Sequence, residues 1–144
     1  MMIRMLLLLL LAATPAVAEP IAPAAISVVD GDTIDVAPDR YRLVGFDTPE
    51  ISTPRRRVGP DERALGMKAS ARLKEIIAAG GLDLQPVRCS CPDRKIADGT
   101  CNFGRKCGLL TANGENVGAT LIREGLAKSF ICGRTSCPKM PVWP

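Results

Sequence analysis

Between Asp30 and Glu50 the chain gathers acids and arginines at a density that no core strand needs. The two pieces are Asp30-Gly31-Asp32-Thr33 and Tyr41-Arg42-Leu43-Val44-Gly45-Phe46-Asp47-Thr48-Pro49-Glu50. Carboxylates this close repel one another, so their concentration points to a positively charged ligand. Asp32 and Asp47 are candidate side-chain ligands for a hard divalent cation, which prefers oxygen donors, and Thr48 offers a candidate backbone carbonyl. Glu50 is a candidate general base for an attacking water. Arg42, together with Arg105 in Asn102-Phe103-Gly104-Arg105, supplies planar donor forks matched to phosphate oxygens. This set suits metal-assisted hydrolysis of a phosphodiester, in which a cation holds a phosphate oxygen and a water together. Each piece alone is also ordinary turn chemistry; the conjunction with Arg42 and Glu50 favours a site.

The chain contains no histidine. That excludes serine–histidine and cysteine–histidine catalysis and histidine-ligated zinc hydrolysis. A formal net charge of +4 is compatible with a polyanionic substrate without specifying one. Three Phe, one Trp and one Tyr leave few rings for stacking on bases.

Several elements must hold these residues together. Arg4, the apolar run Met5–Ala13 and Ala16-Val17-Ala18 before Glu19 fit the three parts of a secretory signal peptide. The run is too short for a membrane span, which needs ~20 residues. Residues 1–18 are therefore expected to be cleaved on export, with the net charge falling to +3 as Arg4 is lost. The expected product is a secreted or periplasmic monomer without stable membrane association. It would form one domain over 19–144, with a core at about 26–128 and a cysteine-closed tail at 129–144.

Six cysteines in a small exported chain suggest disulfides. The single-residue gap between Cys89 and Cys91 is too tight for a usual zinc ribbon. Of the fifteen possible pairings, a nested arrangement is expected: Cys89–Cys107 and Cys91–Cys101 across a hairpin, and Cys132–Cys137 closing a local loop.

Short β-branched runs predict strands at Ile26–Val29, Ile34–Val36 and Tyr41–Phe46, and a hairpin from Leu82–Arg88 and Lys106–Ala112. The basic loop carrying Arg55, Arg56 and Arg57 is a candidate phosphate-contacting segment. A helix starting at Pro60-Asp61-Glu62 and stopping at Gly80-Gly81 places Leu65, Ala69, Leu73, Ile76 and Ile77 on one face. Asn116 caps a second helix bearing Val117, Leu121, Ile122 and Leu126. The expected fold is α+β, mainly β: an antiparallel meander closing into a small five-stranded OB-fold barrel with two main helices, stapled by disulfides. In a regular strand Arg42 and Asp47 would face opposite sides. Serving one site therefore requires a break between Val44 and Asp47, with Gly45 the natural place.

Four blocks carry a resemblance: Val29-Asp30-Gly31-Asp32-Thr33, Arg42 through Glu50, Phe103-Gly104-Arg105, and Leu121-Ile122-Arg123-Glu124-Gly125-Leu126-Ala127. In this order, from about Ile26 to Lys128, the chain resembles the staphylococcal nuclease family. The resemblance implies an OB fold and calcium-dependent cleavage of DNA and RNA to 3′-phosphate products. It implies Asp32, Asp47 and Thr48 as calcium ligands, Glu50 as general base, and Arg42 and Arg105 as phosphate donors. Phe103 stands where the family carries an aromatic before the second arginine. Ile131 and Gly133 stand in place of later tyrosines, Cys101 in place of an acid, and the Cys132–Cys137 loop in place of a C-terminal helix. Two other classes remain open: an OB module that binds nucleic acid without cutting it, and a calcium-binding, disulfide-stapled structural protein, which needs neither arginine.

Overall fold

The computed structural model describes residues 20–144, and the signal-peptide reading of residues 1–18 lies outside them. Strand β1 (Ser27–Val28) pairs antiparallel with β2 (Thr33–Val36), and β2 with β3 (Asp39–Leu43), placing Thr33 opposite Arg42. The chain then leaves this sheet at Val44. It resumes as β4 (Gly45–Asp47), which pairs with β8 (Lys128–Phe130) in a separate two-stranded sheet. The predicted break is therefore present, and Gly45 makes it with a φ of 95°, a conformation that costs a Cβ-bearing residue but not glycine.

Helix α1 (Pro60–Ala78) leads to β5 (Leu82–Val87), which forms the expected antiparallel hairpin with β6 (Lys106–Ala112). Between them the polar stretch holds a short helix, α2 (Asp93–Ala97). Strand β7 (Glu115–Asn116) folds back on β6, and α3 (Val117–Arg123) follows, capped by the Asn116 side chain accepting from the Ala119 N–H.

Two expectations need correction. The strands are not all antiparallel, because β6 lies parallel to β3, with Tyr41 opposite Lys106 and Arg42 opposite Cys107. The intervening α1 and β5 supply the long crossover that a parallel pair requires. Nor do the ladders form a closed five-stranded barrel: the main sheet has six strands in the path β1-β2-β3-β6-β5, with β7 attached to β6. Strand β1 is only two residues long, and a 3₁₀ turn at Pro23–Ala25 precedes it. The approach to β5 is a single bridge, in which the Ile21 N–H donates to the Leu82 carbonyl at 3.0 Å.

The core consists of Ile34, Leu43, Phe46, Leu73, Leu82, Leu110 and Leu121 with their neighbours, joining both sheets to α1 and α3. The six cysteines form Cys89–Cys107, Cys91–Cys101 and Cys132–Cys137. The first two close the mouth of the β5–β6 hairpin, where Cys89, Cys101 and Cys107 make a small second core beside Val44 and Val87. Among the described residues no helix is long and apolar enough to cross a membrane.

The buried face of α1 runs through Glu62, Gly66, Ala69, Leu73 and Ile77, with Leu65 and Ile76 only half-buried. Its N-terminal end presses on the backbone of the acidic stretch. A Cβ at Gly66 would lie 2.6 Å from the Pro49 carbonyl oxygen and 3.2 Å from the Glu50 carbonyl. Gly66→Ala is therefore expected to destabilise the fold by about 1–3 kcal/mol through overpacking. A urea-unfolding midpoint equal to that of the parent would contradict this contact.

Candidate functional site

The paired strands bring the charged residues together. Across three adjacent strands Thr33, Arg42 and Cys107 stand in one row, so Asp32, Arg42 and Arg105 converge beside it. Asp32 is buried, and its Oδ2 accepts from the Thr48 N–H at 3.0 Å and the Thr48 hydroxyl at 3.1 Å. The break at Val44 then turns Asp47 toward the same centre. Arg42 Nη2 lies 3.1 Å from Asp32 Oδ2 and 3.2 Å from Asp47 Oδ1. The same guanidinium donates to the carbonyls of Leu43 and Phe46, which flank the break. Arg42 thus ties the two backbone carbonyls on either side of the break to one guanidinium.

These side chains face a cleft of about 690 Å³ lined by Asp30, Asp32, Arg42, Asp47, Glu50, Arg55, Phe103 and Arg105, together with Phe130, Ile131, Pro138 and Met140. Arg105 is seated on a strained turn. Asn102 and Phe103 adopt left-handed φ values of 53° and 59°, and Arg105 Nη2 and Nε donate to the Asn102 side chain and carbonyl at 2.8 and 3.2 Å. Its Nη1 reaches the Thr33 hydroxyl at 3.4 Å. Phe103 is 78% exposed, with the guanidinium carbons of Arg55 and Arg105 at 5.4 and 5.9 Å from its ring centre.

The three arginines of the basic loop separate. Arg55 stands 3.8 Å from Glu50 and lines the cleft, whereas Arg56 turns to form a two-pronged pair with buried Glu62. Arg57 is exposed away from the lining residues.

The electrostatics follow from this crowding. Burial raises the Asp32 carboxyl to about 7; Asp30 and Asp47 add to the rise, while Arg42 and the Thr48 N–H oppose it. Burial likewise raises Asp47 against the opposing Trp143 and Arg42 contacts. Glu50 is raised by burial and then by Asp30. Burial, and next the neighbouring Arg42, pulls Arg105 below its usual value. Carboxylates that resist ionisation would be relieved by a cation, and crowded guanidiniums by an anion.

Asp32, Asp47 and the Thr48 carbonyl are oxygen donors of the class that a hard divalent ion takes. Asp32 and Asp47 both reach one Arg42 nitrogen, and Asp32 Oδ1 carries only the Thr33 hydroxyl contact at 3.3 Å. Among the described residues no three acidic or cysteine side chains cluster in a metal cage. The candidate set has two carboxylates, with the Thr48 carbonyl as the third protein donor.

Two participants escaped the sequence. Glu62, 3% exposed, accepts from the Glu50 N–H at 3.2 Å and so fixes the backbone that carries the candidate base. Its signal was available: an acid in phase with the Gly66, Ala69 and Leu73 stripe must be buried with a partner. Trp143, whose indole N–H donates to Asp47 Oδ2 at 2.9 Å across 96 positions, offered no local signal.

Comparison with known proteins bears on this arrangement. Residues 40–140 match the family model described as staphylococcal nuclease homologue. The chain belongs to this family. The match takes in Arg42, Asp47, Glu50 and Arg105; Asp32 precedes it and joins the site through β2. Among curated relatives the family member is 35% identical over 104 residues to the SPbeta prophage-derived endonuclease YokF of Bacillus subtilis (strain 168), covering 69% of this chain. It is 34% identical, again over 104 residues and 69% of the chain, to endonuclease YncB of the same organism. These matches span 31% and 44% of the two relatives, so each is much longer than the shared region.

Proposed function

We propose that this chain is an exported, calcium-dependent nuclease that hydrolyses phosphodiester bonds of DNA and RNA, leaving 3′-phosphate ends. The observation that carries the reading is the convergence of Asp32 and Asp47 on one Arg42 nitrogen in a cleft that Glu50 and Arg105 also line. The endonuclease names of its relatives agree with it.

Asp32, Asp47 and the Thr48 carbonyl would hold the calcium ion. When bound, the ion supplies Lewis-acid polarisation of a phosphate oxygen and a site for water. The chain's own residues do the remainder. Glu50, raised above the usual carboxylate range, accepts the proton of the attacking water. The water oxygen bonds to phosphorus as the P–O5′ bond breaks, the departing O5′ takes a proton from solvent to leave as a 5′-hydroxyl, and Arg42 and Arg105 donate to the phosphate oxygens as charge accumulates. Phe103, flanked by Arg55 and Arg105, offers a ring to an unstacked base. Arg55 and, more remotely, Arg57 add positive potential beside the bound strand, whereas the charge of Arg56 is matched by Glu62.

In this reading residues 19–144 work as one monomeric domain of OB type, in which Ile21, just before β1, bridges to Leu82 at the start of β5. The disulfides suit an oxidising compartment, periplasmic or extracellular.

The test is incubation of the oxidised protein with single-stranded DNA and with RNA, in calcium and in chelator, followed by end-group analysis. Calcium-dependent 3′-phosphate products are expected on both substrates. Calcium-dependent binding without cleavage would instead make the chain a nucleic-acid-binding module, and cleavage that persists in chelator would remove the metal from the mechanism.

A further inference from the structure

We propose that Trp143 is a positioning residue for Asp47, orienting that carboxylate for the cation; the inference rests on the metal reading above. Its indole N–H donates to Asp47 Oδ2 at 2.9 Å, while Arg42 Nη2 donates to Oδ1 at 3.2 Å. One donor on each oxygen fixes the rotation of the carboxylate plane. A carboxylate has about four acceptor positions, so two donors leave each oxygen able to take a cation as well.

The direction of approach matters. Asp47 lines the cleft and Trp143 does not, so the ring reaches the carboxylate from outside and leaves the cleft face clear. The ring is itself held in place. Lys128 Nζ lies 4.5 Å from its centre and donates to the Val142 carbonyl at 2.6 Å. Lys128 is also the ladder partner of Asp47 between β4 and β8. One residue therefore pairs with the strand that presents the candidate ligand and clamps the segment that orients it. Groups hydrogen-bonded to a metal-binding side chain set its orientation, and losing one costs roughly 10–100-fold in metal affinity.

Trp143 is the only tryptophan in the chain, so its emission reports directly on this contact. The experiment is a calorimetric calcium titration of the oxidised protein and of Trp143→Phe, which keeps a ring over Lys128 and removes the donor. Tryptophan emission of the parent and of Asp47→Asn is followed in parallel. Trp143→Phe is expected to bind calcium about tenfold more weakly with an unchanged far-UV circular dichroism spectrum. Parent emission should change with a midpoint equal to the calorimetric Kd, and Asp47→Asn emission should not respond. Equal binding by Trp143→Phe overturns the proposal and leaves the metal reading standing. Tighter binding also overturns it, because Trp143 would then compete with the ion. If neither protein binds calcium, the metal reading falls and this inference with it. Should Trp143→Phe fail to fold, the parent emission decides: no response to calcium that calorimetry shows bound refutes the proposal.

Discussion

Glu50→Gln is expected to slow calcium-dependent cleavage of single-stranded DNA by about 10²–10⁴-fold, the usual contribution of a positioned general base. The substitution is nearly isosteric, and among the described residues the only ion pair it removes is the 3.8 Å approach of exposed Arg55. The thermal midpoint should therefore stay close to that of the parent. The Glu50 N–H contact to Glu62 belongs to the backbone and survives the change. The pH profile gives an independent check. A base acts when deprotonated, so the parent rate should rise with pH through a pKa above the ordinary carboxylate value, as burial and Asp30 dictate. Glu50→Gln should lose that limb. Equal initial rates for the two proteins would eliminate Glu50 as the base. Arg42→Ala is a less clean probe, because it also strips the partner from the Leu43 and Phe46 carbonyls and from two buried carboxylates.

The second large effect is on stability, and its sign is opposite to that of most site substitutions. The folded-state pKa of Asp32 is raised from 3.8 to about 7, so between these values the folded chain holds a proton that the unfolded chain has released. Stability from this group is full below the unfolded pKa. It falls as pH rises through the window and is lost above about 7. Asp32→Asn removes the penalty while its amide oxygen still accepts from Thr48. In chelator at pH 8 the variant is expected to be more stable than the parent by on the order of 2 kcal/mol, with the difference vanishing near pH 4. Calcium should stabilise the parent by mass action and leave the variant unmoved. Urea titrations at the two pH values, with and without calcium, measure all of this; a variant less stable than the parent at pH 8 in chelator would show that ionised Asp32 is well compensated by Arg42 and Thr48.

What the sequence made legible follows from how local each signal is. The α1 helix, the β5–β6 hairpin and the break at Gly45 are each written in a few consecutive residues, and all three are present. Strand β8 carries no local signal, because its three residues acquire strand geometry only by pairing with β4. The parallel alignment of β3 and β6 depends on how α1 and β5 pack, which short-range patterns do not encode. Gly31 shows the limit most clearly. In Asp30-Gly31-Asp32 it looks like turn chemistry, yet its φ is not in the left-handed region. A Cβ there would stand 2.6 Å from the Thr48 hydroxyl oxygen, so the position is constrained by a residue 17 places away in the numbering of the contact. Glu62 was legible in principle, as an acid on a buried stripe, whereas Trp143 was not.

The departure of the chain from one sheet into another at Val44 has a bearing on when the site comes into being. Arg42 belongs to the main sheet and Asp47 to the small one, whose second strand is contributed by residues 128–130. A chain still emerging, with β1 to β3 already paired, would hold Asp32 and Arg42 but have nothing to dock β4 against. The charged centre is thus completed only when residues 128–130, the last strand among the described residues, dock against β4.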